Sequence, residues 1–231
     1  MNSDKREIFC IIPARKGSKR LKNKNRKLLS NQPLIYYSIK FALINKFDKI
    51  IVSTNDEEIV EFSSKFPILI HKRRECNSGD KSLIIDLLKS IIIDFKLKIN
   101  DNICLLQPTS PLRKKNLFSQ ALLKFNKNKG DSLVTISLLK KKIGLISNKS
   151  FIPQYITGSR SQELNDYYFE NGDLYILKVN LILENKLFGS NINYFVTGDQ
   201  FPSVDIDFDY DFEFCELILN RNKNQFKHLL E

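Results

Sequence analysis

Three short runs of this chain are apolar on both faces at once. Ile8–Ile12 (IFCII), Lys49–Ser53 (KIIVS) and Asn102–Leu106 (NICLL) lack the alternation of a half-solvated strand. A strand of this kind is covered from both sides, which is the condition of a parallel sheet packed between helices. The segments between the runs agree. Leu34–Leu43 reads as a helix started near Pro33, Glu57–Lys65 as a helix capped by Asp56, and Ser82–Phe95 and Asn116–Asn126 carry helical spacing. Ile68–His71, Ser132–Ser137, Gly172–Lys178 and Ser203–Asp207 read as further strands, and Asp209–Asn220 as a closing helix. The alternation predicts an α/β chain with a mostly parallel central sheet and helices on both faces. Residues 140–170 break the rhythm with a polar stretch carrying Gly144, Pro153 and Gly158. They are too long for an ordinary connection and read as an inserted arm. With no internal repeat and no Pro- or Gly-rich linker, one domain over 1–231 is expected.

Basic residues outnumber acidic ones 37 to 26, so 37 − 26 gives a net charge of +11. Most of that excess is spread along the chain, but eight of the thirteen residues from Arg15 to Lys27 are basic, and Asp205–Asn220 holds six acids and no base. Cys10, Cys76, Cys104 and Cys215 form no C-x-x-C pair, and His71 and His228 lie far apart, so a zinc site of the usual spacing is not expected. The scattered cysteines read as reduced thiols. The polar start from Met1 to Glu7 has no targeting character, and no apolar run reaches the ~18 residues of a membrane span. A cytoplasmic protein without membrane contact is expected.

Ligands of open α/β sheets bind beyond the carboxyl ends of the strands. Three polar clusters fall at such ends. The first, IPARKGSKRLKNKN, is neither a P-loop nor G-x-G-x-x-G. Its Arg15, Ser18, Lys19 and Lys24 beside a helix start suit a triphosphate, held by cations, backbone N–H groups and the helix dipole. A solvated basic loop is the plain alternative. In the last cluster, VDID, strand alternation puts Asp205 and Asp207 on one face, roughly 7 Å apart. Such carboxylates hold a divalent ion, or simply lie exposed on an edge strand. In the middle cluster, LLQPTSPLR, two prolines stiffen the turn. Gln107 there either binds a sugar hydroxyl or carboxylate, or caps the turn.

Taken in order, IPARKGSKRLKNKN (12–25), PLIYYSI (33–39), IIVSTND (50–56), R-x-x-x-x-x-G-D (73–80), LLQPTSPLR (105–113), ENGDLYI (170–176) and VDID (204–207) resemble the cytidylyltransferases that activate nine-carbon acidic sugars. The family comprises CMP-sialic acid synthetases with their legionaminate and pseudaminate relatives, and more distantly the Kdo enzymes. The resemblance implies a Rossmann-like fold of the nucleotide-diphospho-sugar-transferase type whose arm dimerises. Arg15, Ser18, Lys24 and Asn25 would hold CTP, with Arg73 and Asp80 as further nucleotide contacts. Gln107, Asn171, Arg160 and Gln162 would lie at the sugar, and Asp205 and Asp207 would bind Mg2+ or Mn2+. Arg15, Lys24 and Asp207 would carry catalysis. Departures bear on the sugar: Gln32 stands where Gly is usual, Glu170 and Asp173 flank Asn171-Gly172 where many relatives have Pro and Ala, and Lys81 follows Asp80.

The implied reaction transfers CMP from CTP to the anomeric hydroxyl of an acidic 2-keto-3-deoxy sugar and releases pyrophosphate. A Kdo-specific enzyme is the near alternative. The alternative of another class is a non-catalytic basic protein that binds nucleic acid. It needs aromatics interleaved with the cations, and Lys16–Lys27 has none.

Overall fold

The computed structural model describes residues 6–18, 20–73, 83–198 and 202–231. Its elements follow in chain order. First come β1 (Ile8–Pro13), the small pair β2 (Leu28–Leu29) and β3 (Gln32–Pro33), α1 (Leu34–Ile44), β4 (Lys49–Thr54), α2 (Glu57–Ser63), β5 (Leu69–Lys72) and α3 (Ile84–Asp94). Then come β6 (Asn102–Leu105), α4 (Leu117–Lys127), β7 (Ser132–Leu139), β8 (Gly144–Ser147), β9 (Ser150–Pro153) and β10 (Tyr167–Lys178). The last are α5 (Val179–Leu183), β11 (Ile192–Thr197), α6 (Asp209–Arg221) and α7 (Lys223–Leu230).

Seven strands form one sheet in the order β11-β7-β10-β6-β1-β4-β5. β10 runs antiparallel to β6 and β7, and every other pairing is parallel. The two-sided apolar runs are the three adjacent strands β6, β1 and β4. Alternation along β1 divides the core: Cys10 and Ile12 pack with α1, α4, α6 and α7, while Phe9 and Ile11 pack with α3 and α5. Asp56 caps α2 as expected, accepting from the Glu58 N–H at 3.2 Å.

Three expectations need correction. Ser203–Asp207 is not a strand of the sheet. It is held to the rim by the Ile206 N–H, which donates to the Thr109 carbonyl at 2.8 Å, and by Ser203, whose Oγ meets Ser137 Oγ at 2.8 Å. The burial alternation survives, with Val204 and Ile206 inside and Asp205 exposed. The sequence reading also omits the small pair β2–β3, the short helix α5, the edge strand β11 and the final helix α7. The interval 140–170, read as an arm, has secondary structure of its own. It contains the β8–β9 hairpin, which exposes Leu145, Ile146, Phe151 and Ile152, and it ends in the first turns of β10, where Tyr167 pairs with Leu139. No helix among the described residues is long and apolar enough to cross a membrane.

Candidate active site

The carboxyl ends of β1, β4, β5 and β6 share one rim of the sheet, and β1 is its switch point: the chain goes from β1 to β4 on one side and reaches β6 on the other. The basic loop leaves β1 at this switch point. The Lys16 N–H donates to Asn55 Oδ1 at 2.8 Å beyond the end of β4, and Gly17 takes φ +81°, where a Cβ would be strained. Asn25 is buried and spends an amide hydrogen on the Arg15 carbonyl at 3.1 Å, so it braces the loop. Ser18 is half-buried in the same turn.

The loop and the acidic run face each other. Lys24 is buried, and its ammonium donates to the Ile206 carbonyl at 2.7 Å and to Asp207 Oδ1 at 3.0 Å. Arg20 pairs with Asp207 Oδ2, Lys27 with Asp209, and Arg26 with Asp56 at 3.2 Å and with Glu58. The Ser30 N–H donates to Glu216 at 3.0 Å. Four of the eight cations in the densest positive segment are thus paired with carboxylates of the same chain. Partial burial opposes the Asp207 charge, but Lys24 and Arg20 outweigh it and hold the carboxyl below its usual range.

Across the rim, the Arg73 N–H donates to the Thr54 carbonyl at 2.9 Å, which places Arg73 just past β5. Its Nε is buried and has no hydrogen-bond partner among the described residues. Burial first, and the charge of Arg15 second, pull the Arg73 guanidinium down to about 10. Arg15 and Arg73 are thus two cations on one rim that feel each other's charge, and a buried Arg73 donor finds no acceptor among the described residues. Asp80 lies outside the described residues.

The third wall is built on Arg113, a guanidinium with no exposed surface. It donates to the Gln107 carbonyl at 2.6 Å, to Ser38 Oγ at 3.0 Å and to the Asp173 carbonyl. Burial pulls it down to about 10, against the pull of Asp173. β10 bulges here, for its register with β7 shifts between Glu170 and Tyr175. Gly172 sits in the bulge at φ +74°, and a Cβ there would come within 2.8 Å of Gln107 Oε1 and of Ser110 Oγ. The glycine therefore lets the Gln107 amide lie against β10. Burial pushes the Asp173 carboxyl up to about 6, against Arg113 and a 2.9 Å hydrogen bond from Thr197, and the charge of Asp205 adds a smaller push.

Two sugar-side expectations change. Asn171 is buried, and its amide is consumed internally: Nδ2 donates to Ser137 Oγ at 2.8 Å and to Thr197 Oγ1, and Oδ1 accepts from the Asp173 N–H at 3.1 Å. It braces the bulge. Arg160 and Gln162 stand exposed at the short helical turn Ser161–Glu163 on the arm. Arg20, Arg113 and Asp173 were not given roles from sequence. Arg113 had a signal, a cation closing the stiff LLQPTSPL run.

A cation-rich loop at a sheet switch point, tied by Lys24 and Arg20 to Asp207, has the form of an anion-binding rim on an open α/β sheet. A profile of the cytidylyltransferase family matches residues 9–229, and the chain belongs to that family. It is 33% identical over 195 residues to an N-acylneuraminate cytidylyltransferase of Streptococcus agalactiae, covering 80% of this chain and 47% of that protein. The chain thus spans about half the length of that relative. It is also 33% identical to a CMP-N,N'-diacetyllegionaminic acid synthase of Legionella pneumophila, over 79% of this chain and 83% of that one. A structure of CMP:2-keto-3-deoxy-manno-octonic acid synthetase complexed with CTP superposes with TM-score 0.68 over 93% of this chain and 99% of that chain, at 16% identity, which speaks for the fold alone.

Proposed function

We propose that the chain transfers the cytidylyl group of CTP to the anomeric hydroxyl of a nine-carbon acidic 2-keto-3-deoxy sugar, releasing pyrophosphate. The observation that carries this is the basic loop at the switch point, whose Lys24 and Arg20 meet Asp207, with the Arg73 Nε across the rim buried and without a hydrogen-bond partner among the described residues. A triphosphate suits such a rim. Arg15 and Arg73 take its charge, and with Lys24 they stabilise the pyrophosphate as it leaves. The hydroxyl oxygen bonds to the α-phosphorus and gives up its proton to solvent as the bond to the bridging oxygen of pyrophosphate breaks. Gln107, lying against Gly172, orients the sugar, and positioning supplies much of the rate.

Asp205 and Asp207 are a fitting donor set for Mg2+ or Mn2+. Asp205 is exposed, and Asp207 is held in its charged form. No three His, Cys, Asp or Glu side chains converge among the described residues, so such an ion would fill its shell with water and phosphate oxygens, as Mg2+ does. When bound, it neutralises charge on the reacting phosphate. The test is pyrophosphate release from CTP over a panel of sialic, legionaminic, pseudaminic and Kdo acids. One nine-carbon acid should give turnover and UTP and ATP very little. Turnover with Kdo alone, or with all three nucleotides alike, refutes this reading.

The arm is assigned to a two-fold contact with a second copy, which brings Arg160 and Gln162 to the neighbour's sugar. Ile146 is the most telling position, 82% exposed on the hairpin. Ile146→Asp should turn a dimer into a monomer by light scattering and leave the thermal transition within about 2 °C, as expected for an exposed site. A monomeric parent chain at micromolar concentration would remove the dimer. A reducing cytoplasm suits Cys10, Cys104 and Cys215, which are free and buried.

A further inference from the structure

Asp207 offers its two oxygens to cations of different character. Oδ1 takes the Lys24 ammonium, which is buried and also tied to the Ile206 carbonyl, so that contact belongs to the framework. Oδ2 takes Arg20, whose side chain is 63% exposed and, among the described residues, is otherwise steadied by the Phe208 ring, 5.8 Å away. A surface ion pair of this kind contributes little net stability and breaks readily. We propose that Arg20 is a partner-exchanging phosphate ligand: Asp207 holds it in the free protein, and the nucleotide's triphosphate takes it when a divalent ion arrives at Oδ2. The proposal rests on the reading of Asp207 as an ion-holding carboxylate.

The exchange follows from simple competition. An ion bound at Oδ2 needs the lone pairs that Arg20 occupies, and its charge repels a guanidinium at contact distance. Lys24 does not change partners in this way: the Ile206 carbonyl retains it, and it meets the phosphates from where it stands. Arg20 belongs to the loop that carries Arg15 and Ser18, so once released it stays beside the anion site, and its planar fork suits two phosphate oxygens. The two ligands are then coupled reciprocally: the ion frees Arg20 for the phosphates, and the phosphates draw Arg20 away from the ion's carboxylate. Without Arg20 the ion should bind more tightly by itself and the nucleotide less tightly by itself. A residue that merely props the loop would weaken both.

The experiment uses the whole chain and binding readouts. Mn2+ binding is followed by electron paramagnetic resonance without nucleotide, and CTP binding by calorimetry in EDTA. Arg20→Ala should bind Mn2+ about fivefold more tightly, the order set by loss of an exposed ion pair. It should bind CTP about tenfold more weakly, the order for one charge-assisted contact. Arg20→Lys should recover part of the CTP affinity. Unchanged or weaker Mn2+ binding in Arg20→Ala, or unchanged CTP binding, overturns the exchange. Asp207→Asn separates the two readings. If it leaves Mn2+ binding untouched, the ion is not at Asp207 and the site assignment itself is wrong. If it weakens Mn2+ binding while Arg20→Ala does nothing, the assignment stands and the exchange alone is lost.

Discussion

Asp207→Asn should cut pyrophosphate release by on the order of 10³-fold, the size of effect seen when one strong stabiliser of developing charge is removed. The substitution keeps the shape and removes the charge that holds both Lys24 and Arg20. The structural cost should be small by comparison. The pair with Arg20 is exposed and worth about 0–1 kcal/mol. Lys24 keeps its bond to the Ile206 carbonyl, and the backbone around 207 is still held by Asp211, which accepts from the N–H groups of Asp207 and Phe208 at 2.9 and 2.8 Å. A loss of about 1–2 kcal/mol in urea unfolding is expected, well within the margin of a domain this size. Asp205→Asn should be milder, since Asp205 is exposed and its charge gives only a minor push to Asp173 and Tyr175. Normal activity in Asp207→Asn would mean that the loop cations and not the carboxylate organise the site.

The strands legible in the sequence were those whose burial is complete. β1, β4 and β6 are apolar on both faces because helices cover both, and a both-sided run needs no knowledge of its neighbours to be read. β11 failed that reading because it is an edge. Ile192, Tyr194 and Val196 face solvent while Asn193 is buried, the reverse of the usual alternation. VDID was read with the correct facing and the wrong pairing, since alternation of burial needs only a one-sided contact whereas a strand needs a ladder. The candidate site divides in the same way. Lys24 and Asp207 were legible as opposite charges at strand ends, and the resemblance placed them together. Asn171 was misplaced toward ligand because its partners Ser137 and Thr197 lie 34 and 26 residues away, and no local pattern marks an amide that the fold consumes. The charge balance could not show this pairing for a related reason: the basic loop and the acids that answer it are some 180 residues apart.

Arg113 is where the largest loss of stability is expected. Its guanidinium is wholly buried, lies 5.8 Å from the Phe41 ring, and satisfies the Gln107 carbonyl, the Asp173 carbonyl and Ser38 Oγ from one planar group. Arg113→Ala removes all of these at once and leaves two carbonyls and a hydroxyl to find new partners in a cavity. Each buried group left unpaired costs about 1–3 kcal/mol, so a net loss of roughly 3–5 kcal/mol is expected even if water enters the space. That is a large share of the 5–15 kcal/mol typical of a domain, and the variant should unfold far earlier in urea. Arg113→Lys tests the fork separately from the charge. A lysine ammonium is a point donor that cannot span carbonyls on two different elements, so about half of the loss should remain. The function should suffer in a particular way in that milder variant. Arg113 ties the backbone of Gln107 to that of Asp173, the two segments between which Gly172 admits the Gln107 amide, whereas Arg15 and Arg73 stand on other loops. The sugar KM of Arg113→Lys should therefore rise more than its CTP KM. Equal rises in both would make Arg113 a general strut of the fold, and a change in unfolding free energy below about 1 kcal/mol for Arg113→Ala would mean that the buried carbonyls are satisfied without it.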